Sequence, residues 1–168
     1  IKINKINPKN LYTELKTLKN MGCVLRIKES SIEIDAKKKL KPIKIKTSPF
    51  PGLATDSMPP LMAVLTKVKG ISKIQENIFS HRFQCVPELN KMGASISING
   101  NKATIIGQDK LYGAECISSD LRTTFSIILG AIAASGKSVV NRVYHGFRGY
   151  YKLDKKLKKI GINIKKVS

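Results

Sequence analysis

Apolar residues along this chain switch between two spacings, and the switches divide it into elements. After Asn7-Pro8, Leu11, Leu15 and Leu18 recur at helical intervals until Met21-Gly22, which predicts a first helix. Cys23 to Ile27 and Ile32 to Asp35 follow as a predicted hairpin around Glu29-Ser30, and Ile43 and Ile45 alternate with lysines at a strand period. A loop holding Pro49, Pro51 and Gly52 then leads into Met58, Leu61, Met62, Val64, Leu65 and Val68. That series predicts a helix, and Pro59 and Pro60, tolerated only in a first turn, place its start within a residue or so of Asp56. A short strand, a basic loop and a helix stopping at Gly93 come next. Ala94 to Ile98, the turn Asn99-Gly100-Asn101 and Ala103 to Ile106 predict a second hairpin. The chain closes with a strand at 114–117, a helix at 121–134, a strand at 138–143, the loop HGFRG, a helix ending at Ile160-Gly161, and a strand at 162–164 without a hairpin partner.

This succession repeats itself. Three predicted helices end in Leu, three residues and Gly: Leu18 to Gly22, Leu89 to Gly93 and Leu157 to Gly161. The glycines lie 71 residues (22 to 93) and 68 residues (93 to 161) apart. The expectation is an α/β chain of one domain over 1–168, with a partial βαβαββ unit at 1–46 and successive units at 47–107 and 108–168. Beginning in mid-repeat without an initiator Met, it reads as a fragment.

Length and composition narrow the classes. The 168 residues suit one domain with a true core. The longest apolar run, Phe125 to Ala134, is too short for the ~20 residues of a membrane span, and the Lys/Ile alternation at the N-terminus is no signal peptide. The net charge of +20 attracts polyanions. Three explanations stand side by side: compositional bias toward Lys, Ile and Asn, a small anionic substrate, or nucleic acid, the last disfavoured by scattered lysines and the absence of Trp. Three cysteines without CxxC spacing point to a reducing, cytoplasmic setting and away from disulfides or zinc. Cys23 and Cys116 lie in apolar runs, while Cys85 falls in a loop where exposure is possible. His81 and His145 stand alone, and neither a metal nor a cofactor is expected.

The candidate chemistry is acidic and cationic. Asp56 either caps its helix or serves there as a general base. Asp120 opens the corresponding helix of the next unit, and Arg82 and Arg148 precede the second helices. Such arginines either close matching corners or converge on a phosphate or carboxylate. Arg122 lies in a first helical turn, where a cation opposes the helix dipole, so a nearby anion is expected.

The segments TSPFPGLATD with PLMAVLT, ENIFSHRFQCVPELNKMGA, SSDLRTTFSIILGAIAASG and NRVYHGFRGYYKLDKKLKKIG resemble the C-terminal part of the enolpyruvyl transferases, specifically the UDP-N-acetylglucosamine 1-carboxyvinyltransferase branch. The resemblance covers nearly the whole chain. It implies an inside-out α/β barrel of βαβαββ units, here about two and a half, and a role in peptidoglycan precursor synthesis. The substrates implied are UDP-N-acetylglucosamine and phosphoenolpyruvate. By the same resemblance Asp56 (PGxxTD) is the acid at the sugar hydroxyl and proposed base, and Ile78 (ENIF) holds the UDP-sugar through its backbone beside Phe79. Arg148 (RGY) binds the phosphoenolpyruvate side, Asp120 and Arg122 (SDLR) line the cleft, and Arg82 lies in an NRF-like motif. The family's acid-bearing Cys loop and its N-terminal Lys have no counterpart here, so the implied partner is the remaining part of the enzyme, in cis or as another chain, without which no turnover is expected. Phe147, Tyr151 and Cys85 replace the usual Asp, Glu and His, which leaves a diverged, inactive remnant as an alternative.

Overall fold

A computed structural model describes residues 1–167. Strands β1 (Lys2–Asn4), β2 (Val24–Lys28) and β3 (Ser31–Asp35) form an antiparallel sheet in the order β1-β3-β2. The Lys/Ile alternation at the N-terminus, outside the elements that the sequence predicts, pairs with the edge of the predicted hairpin, Ile3 opposite Ile32. Between β1 and β2, a 3-10 turn whose first amides are capped by Asn7 enters α1 (Tyr12–Asn20).

The second sheet positions the site. Strands β4 (Lys44–Lys46), β5 (Ile71–Gln75), β6 (Ser95–Asn99) and β7 (Lys102–Ile106) lie in the order β4-β5-β7-β6. β4 runs parallel to β5, and the crossover between them is α2 (Met58–Leu65). The other two pairings are antiparallel, and α3 (Val86–Lys91) leads into β6. The period-two pattern divides this sheet cleanly. Ile74, Ile96, Ala103 and Ile105 point inward onto Met58, Met62, Leu65 and Leu89, while Lys73, Lys102 and Ser97 line a concavity on the outer face.

A third sheet pairs β8 (Glu115–Ile117) with β9 (Val139–Asn141), parallel, across the long α4 (Leu121–Ala133). α2 and α4 pack together more extensively than any other two helices. Gly130 lets α4 approach α3, since a Cβ there would lie 2.9 Å from Leu89 Cδ2 and from Met92 Sδ. Matched left-handed glycines end α3 and the last helix, Gly93 at φ +88° and Gly161 at φ +89°.

Three expectations need correction. The HGFRG loop contains a one-turn helix, α5 (Tyr144–Phe147), ahead of α6 (Leu153–Lys159). Residues 162–164 form no strand; with no neighbouring edge to pair with, Ile162 and Ile164 pack instead against Ile128, Leu153 and Leu157. Cys85 is fully buried rather than exposed, because the residue just before α3 faces the core. Burial pushes the Cys85 thiol up to about 12 and Cys116 to about 11, and raises Cys23 as well. Since the thiolate is the reactive form, a maleimide reagent at pH 8 is expected to label the native chain at none of the three and the urea-unfolded chain at all three. Mass spectrometry of the adducts checks this.

Among the described residues, no helix is long and apolar enough to cross a membrane.

Candidate active site

Asp56 lies in a 3-10 turn, Thr55–Ser57, between the Pro-rich loop and α2. Its carboxylate does not cap α2. With Met58 first in that helix, the amides a cap would take belong to Pro59 and Pro60, which have no N–H to give. The side chain turns instead toward the first turn of α4. Asp56 Oδ1 accepts from Arg122 Nε at 2.7 Å, Oδ2 accepts from Arg122 Nη2 at 3.1 Å, and Arg82 Nη2 stands 3.3 Å from Oδ1. Two guanidiniums from two separate elements therefore hold one half-exposed carboxylate. The anion expected beside Arg122 is Asp56 itself, and the bonded carboxylate is the first reason why Arg122 is raised further above its ordinary pKa.

Asp120 does the capping that Asp56 does not. Its Oδ1 accepts from the amides of Arg122 (2.8 Å) and Thr123 (3.3 Å), and Oδ2 from the hydroxyls of Thr123 and Ser119. The two acids at matching helix starts thus have different tasks: Asp120 builds the turn from which Arg122 reaches Asp56. Burial would raise the Asp120 carboxyl, but these hydrogen bonds outweigh it and hold the carboxyl below its usual value. Its stabilising contribution is present above about pH 4 and is lost as the pH falls through the lowered folded-state value. Asp120→Ala is expected to cost about 1–2 kcal/mol at pH 7, with the gap to the native chain closing in acid. Urea melts at the two pH values check it.

Arg82 is the buried member of the cluster, its side chain 12% exposed. Its Nε donates to Thr55 Oγ1 at 3.0 Å, and its guanidinium lies 4.7 Å from the centre of the Phe79 ring. Ile78 and Phe79 are exposed, but both their amides donate to Glu76 Oε1, at 2.6 and 3.0 Å. If the backbone of Ile78 meets a ligand, it does so through its carbonyl.

Arg148 stands apart from this cluster. It is exposed at the end of α5, where its amide donates to the Gly146 carbonyl, and among the described residues its guanidinium makes no hydrogen bond or salt bridge. The glycines near it lie against the start of α4: Gly146 backs onto Thr124 and Gly149 onto the Leu121 side chain.

Two residues of the site were not singled out from the sequence. Tyr150 stacks on Phe125 with ring centres 4.8 Å apart, and its phenol is raised by burial and then by the charges of Asp56 and Asp120, with Arg122 opposing. Glu76 is 2% exposed and gathers donors from both sides of the cluster. Its signal was an acid directly after the short strand-like run ISKIQ, where a buried carboxylate demands a set of donors.

The family profile described as EPSP synthase (3-phosphoshikimate 1-carboxyvinyltransferase) matches residues 1–157. The chain belongs to this enolpyruvyl transferase family. It is 49% identical over its full length to a UDP-N-acetylglucosamine 1-carboxyvinyltransferase of Pelagibacter ubique and 41% identical over 99% of its length to one of Campylobacter lari. It spans about 40% of the length of each of these relatives. Among solved structures, the enolpyruvyl transferase NikO from Streptomyces tendae matches 98% of the chain at a TM-score of 0.89 and 24% identity, the chain covering 39% of NikO. An EPSP synthase from Acinetobacter baumannii matches 94% at 0.69 and 18%, with 37% of its own length covered. At those identities the likeness shows the fold, and that fold is the inside-out α/β architecture of the family.

Proposed function

We propose that the rim around Asp56 is one wall of the active site of a UDP-N-acetylglucosamine 1-carboxyvinyltransferase, the other wall coming from the remaining part of the enzyme. The chain is then read as a partial unit at 1–46 and two successive repeats at 47–107 and 108–168. The reaction moves the enolpyruvyl group of phosphoenolpyruvate to the 3-hydroxyl of UDP-N-acetylglucosamine and releases phosphate, in peptidoglycan precursor synthesis. The observation that carries this reading is the bidentate hold of Arg122 on Asp56, with Arg82 beside it.

The geometry suits that chemistry. Phosphoenolpyruvate presents a phosphate and a carboxylate, the anions that guanidinium forks match best. When such an anion takes over the donors of Arg122 and Arg82, the lone pairs of Asp56 become free to receive a hydroxyl proton. The hydroxyl oxygen bonds to C2 of the enol, a proton is added at C3 from an acid outside this chain, and the tetrahedral adduct expels phosphate as the C3 proton leaves again. Arg122 and Arg82, with Arg148 from the neighbouring turn, balance the charge as it shifts. Ile78 and Phe79 border the UDP-sugar, and Asp120 holds the α4 turn.

The test is a chimera: the Pelagibacter ubique relative carrying this chain in place of the segment it matches. It is expected to release phosphate from phosphoenolpyruvate when UDP-N-acetylglucosamine is the acceptor and not when shikimate 3-phosphate is. The isolated chain is expected to release none. A folded chimera inert with both acceptors, or active only with shikimate 3-phosphate, sinks the proposal.

A further inference from the structure

Glu76 is the most deeply buried carboxylate near the cluster, yet no Lys, Arg or His pairs with it among the described residues. A charge in that setting persists only when neutral donors replace its lost water. Oε1 receives three, the hydroxyl of Thr47 at 2.8 Å and the amides of Ile78 and Phe79, while Oε2 receives one, the hydroxyl of Thr55 at 2.9 Å. The Thr47 hydroxyl in turn accepts from the Asn77 amide, so the turn after β5 is tied down residue by residue. The single bond at Oε2 leads the other way. Thr55 Oγ1 donates to Glu76 and accepts from Arg82 Nε, and Arg82 Nη2 reaches Asp56.

We propose that Glu76 is the positioning residue of this site: through Thr55 it anchors Arg82 at Nε, and through the amides of Ile78 and Phe79 it fixes the loop on the opposite side. The proposal rests on the enolpyruvyl-transfer reading of the Asp56 cluster. Its chemical content is a division of labour within one guanidinium. When an incoming phosphate or carboxylate draws Arg82 off Asp56, the Nε end stays on Thr55 and only the Nη end moves, so the cation turns about a fixed point instead of swinging into solvent. A glutamine could still accept from the 78–79 amides with its oxygen. Its NH2 end would face Thr55 as a donor, which reverses the bond to the hydroxyl and removes the charge behind Arg82.

Two measurements decide it. In the 15N-labelled chain, the Arg82 Nε–H resonance is expected to exchange slowly with water, and Glu76→Gln or Thr55→Val is expected to speed that exchange at least about tenfold, a charge-assisted anchor having been lost. In the chimera, Glu76→Gln is expected to lower kcat about tenfold and leave KM for UDP-N-acetylglucosamine within about twofold, since the loop keeps its acceptor. Thr55→Val should do the same, and the double variant should be no worse than either single one. Should Glu76→Gln fail to fold, Thr55→Val alone carries the test, because it cuts only the link. An Arg82 signal unchanged in these variants, or kcat losses that multiply in the double variant, overturns the proposal. An unmutated chimera without UDP-N-acetylglucosamine activity defeats the functional reading, while the Arg82 signal still decides the role of Glu76.

Discussion

Asp56→Asn in the chimera is expected to lower turnover by about 10^3-fold, the middle of the range for removing a positioned proton acceptor. Asparagine keeps the shape of the side chain and one carbonyl oxygen, but not the charge that two guanidiniums hold or the basicity that takes a hydroxyl proton. The loss should fall on kcat. Stability should change little, because the Asp56 side chain is 56% exposed and exposed ion pairs contribute about 1 kcal/mol or less. Steady-state phosphate release beside a thermal melt separates the two effects. A fall of less than about tenfold in a folded variant would mean that Asp56 serves only to park the arginines.

The largest expected effect on stability lies in the core, at Leu89. It is fully buried among Leu65, Val86 and Ile96, and its Cδ2 fills the space that Gly130 leaves on α4. Truncation there opens a cavity at the junction of two helices and a sheet, a place where rigid elements cannot collapse inward. Leu89→Ala is expected to cost about 2–5 kcal/mol, a fall in melting temperature on the order of 10 °C for a chain of this size. Ile117→Ala, at a residue 48% exposed, should stay within about 0.5 kcal/mol and serves as the control. A Leu89→Ala melt within 2 °C of the native chain would show that the α3–α4 junction is not packed as described.

The elements that sequence predicted best were those whose side chains split cleanly between water and core. The β6–β7 hairpin and α4 fell within a residue or two of expectation, because their apolar positions repeat at one period throughout. The α5 turn escaped, being a four-residue helix too short to show a period. The 162–164 strand failed for another reason: alternation reports a pattern of burial, but a strand also needs a neighbour to receive its hydrogen bonds.

The same contrast runs through the site. The acids, the arginines and their places at helix starts were legible, and Pro59 and Pro60 already carried the reason that Asp56 cannot cap. What spacing left open was which carboxylate meets which cation, since Asp56 and Arg122 are 66 residues apart and only the packing of α2 against α4 joins them. The amino-acid order by itself determined the α/β class, the glycines that end matching helices, the family, and the residue types available for anion chemistry. The tertiary structure alone decided that Asp120 is consumed as a cap, that Arg148 stands outside the ion-pair cluster, and that a buried glutamate backs the arginine on the far side. Periodicity is a local property and can be read along a chain, whereas the partner of a charge depends on which surfaces come together when the core closes.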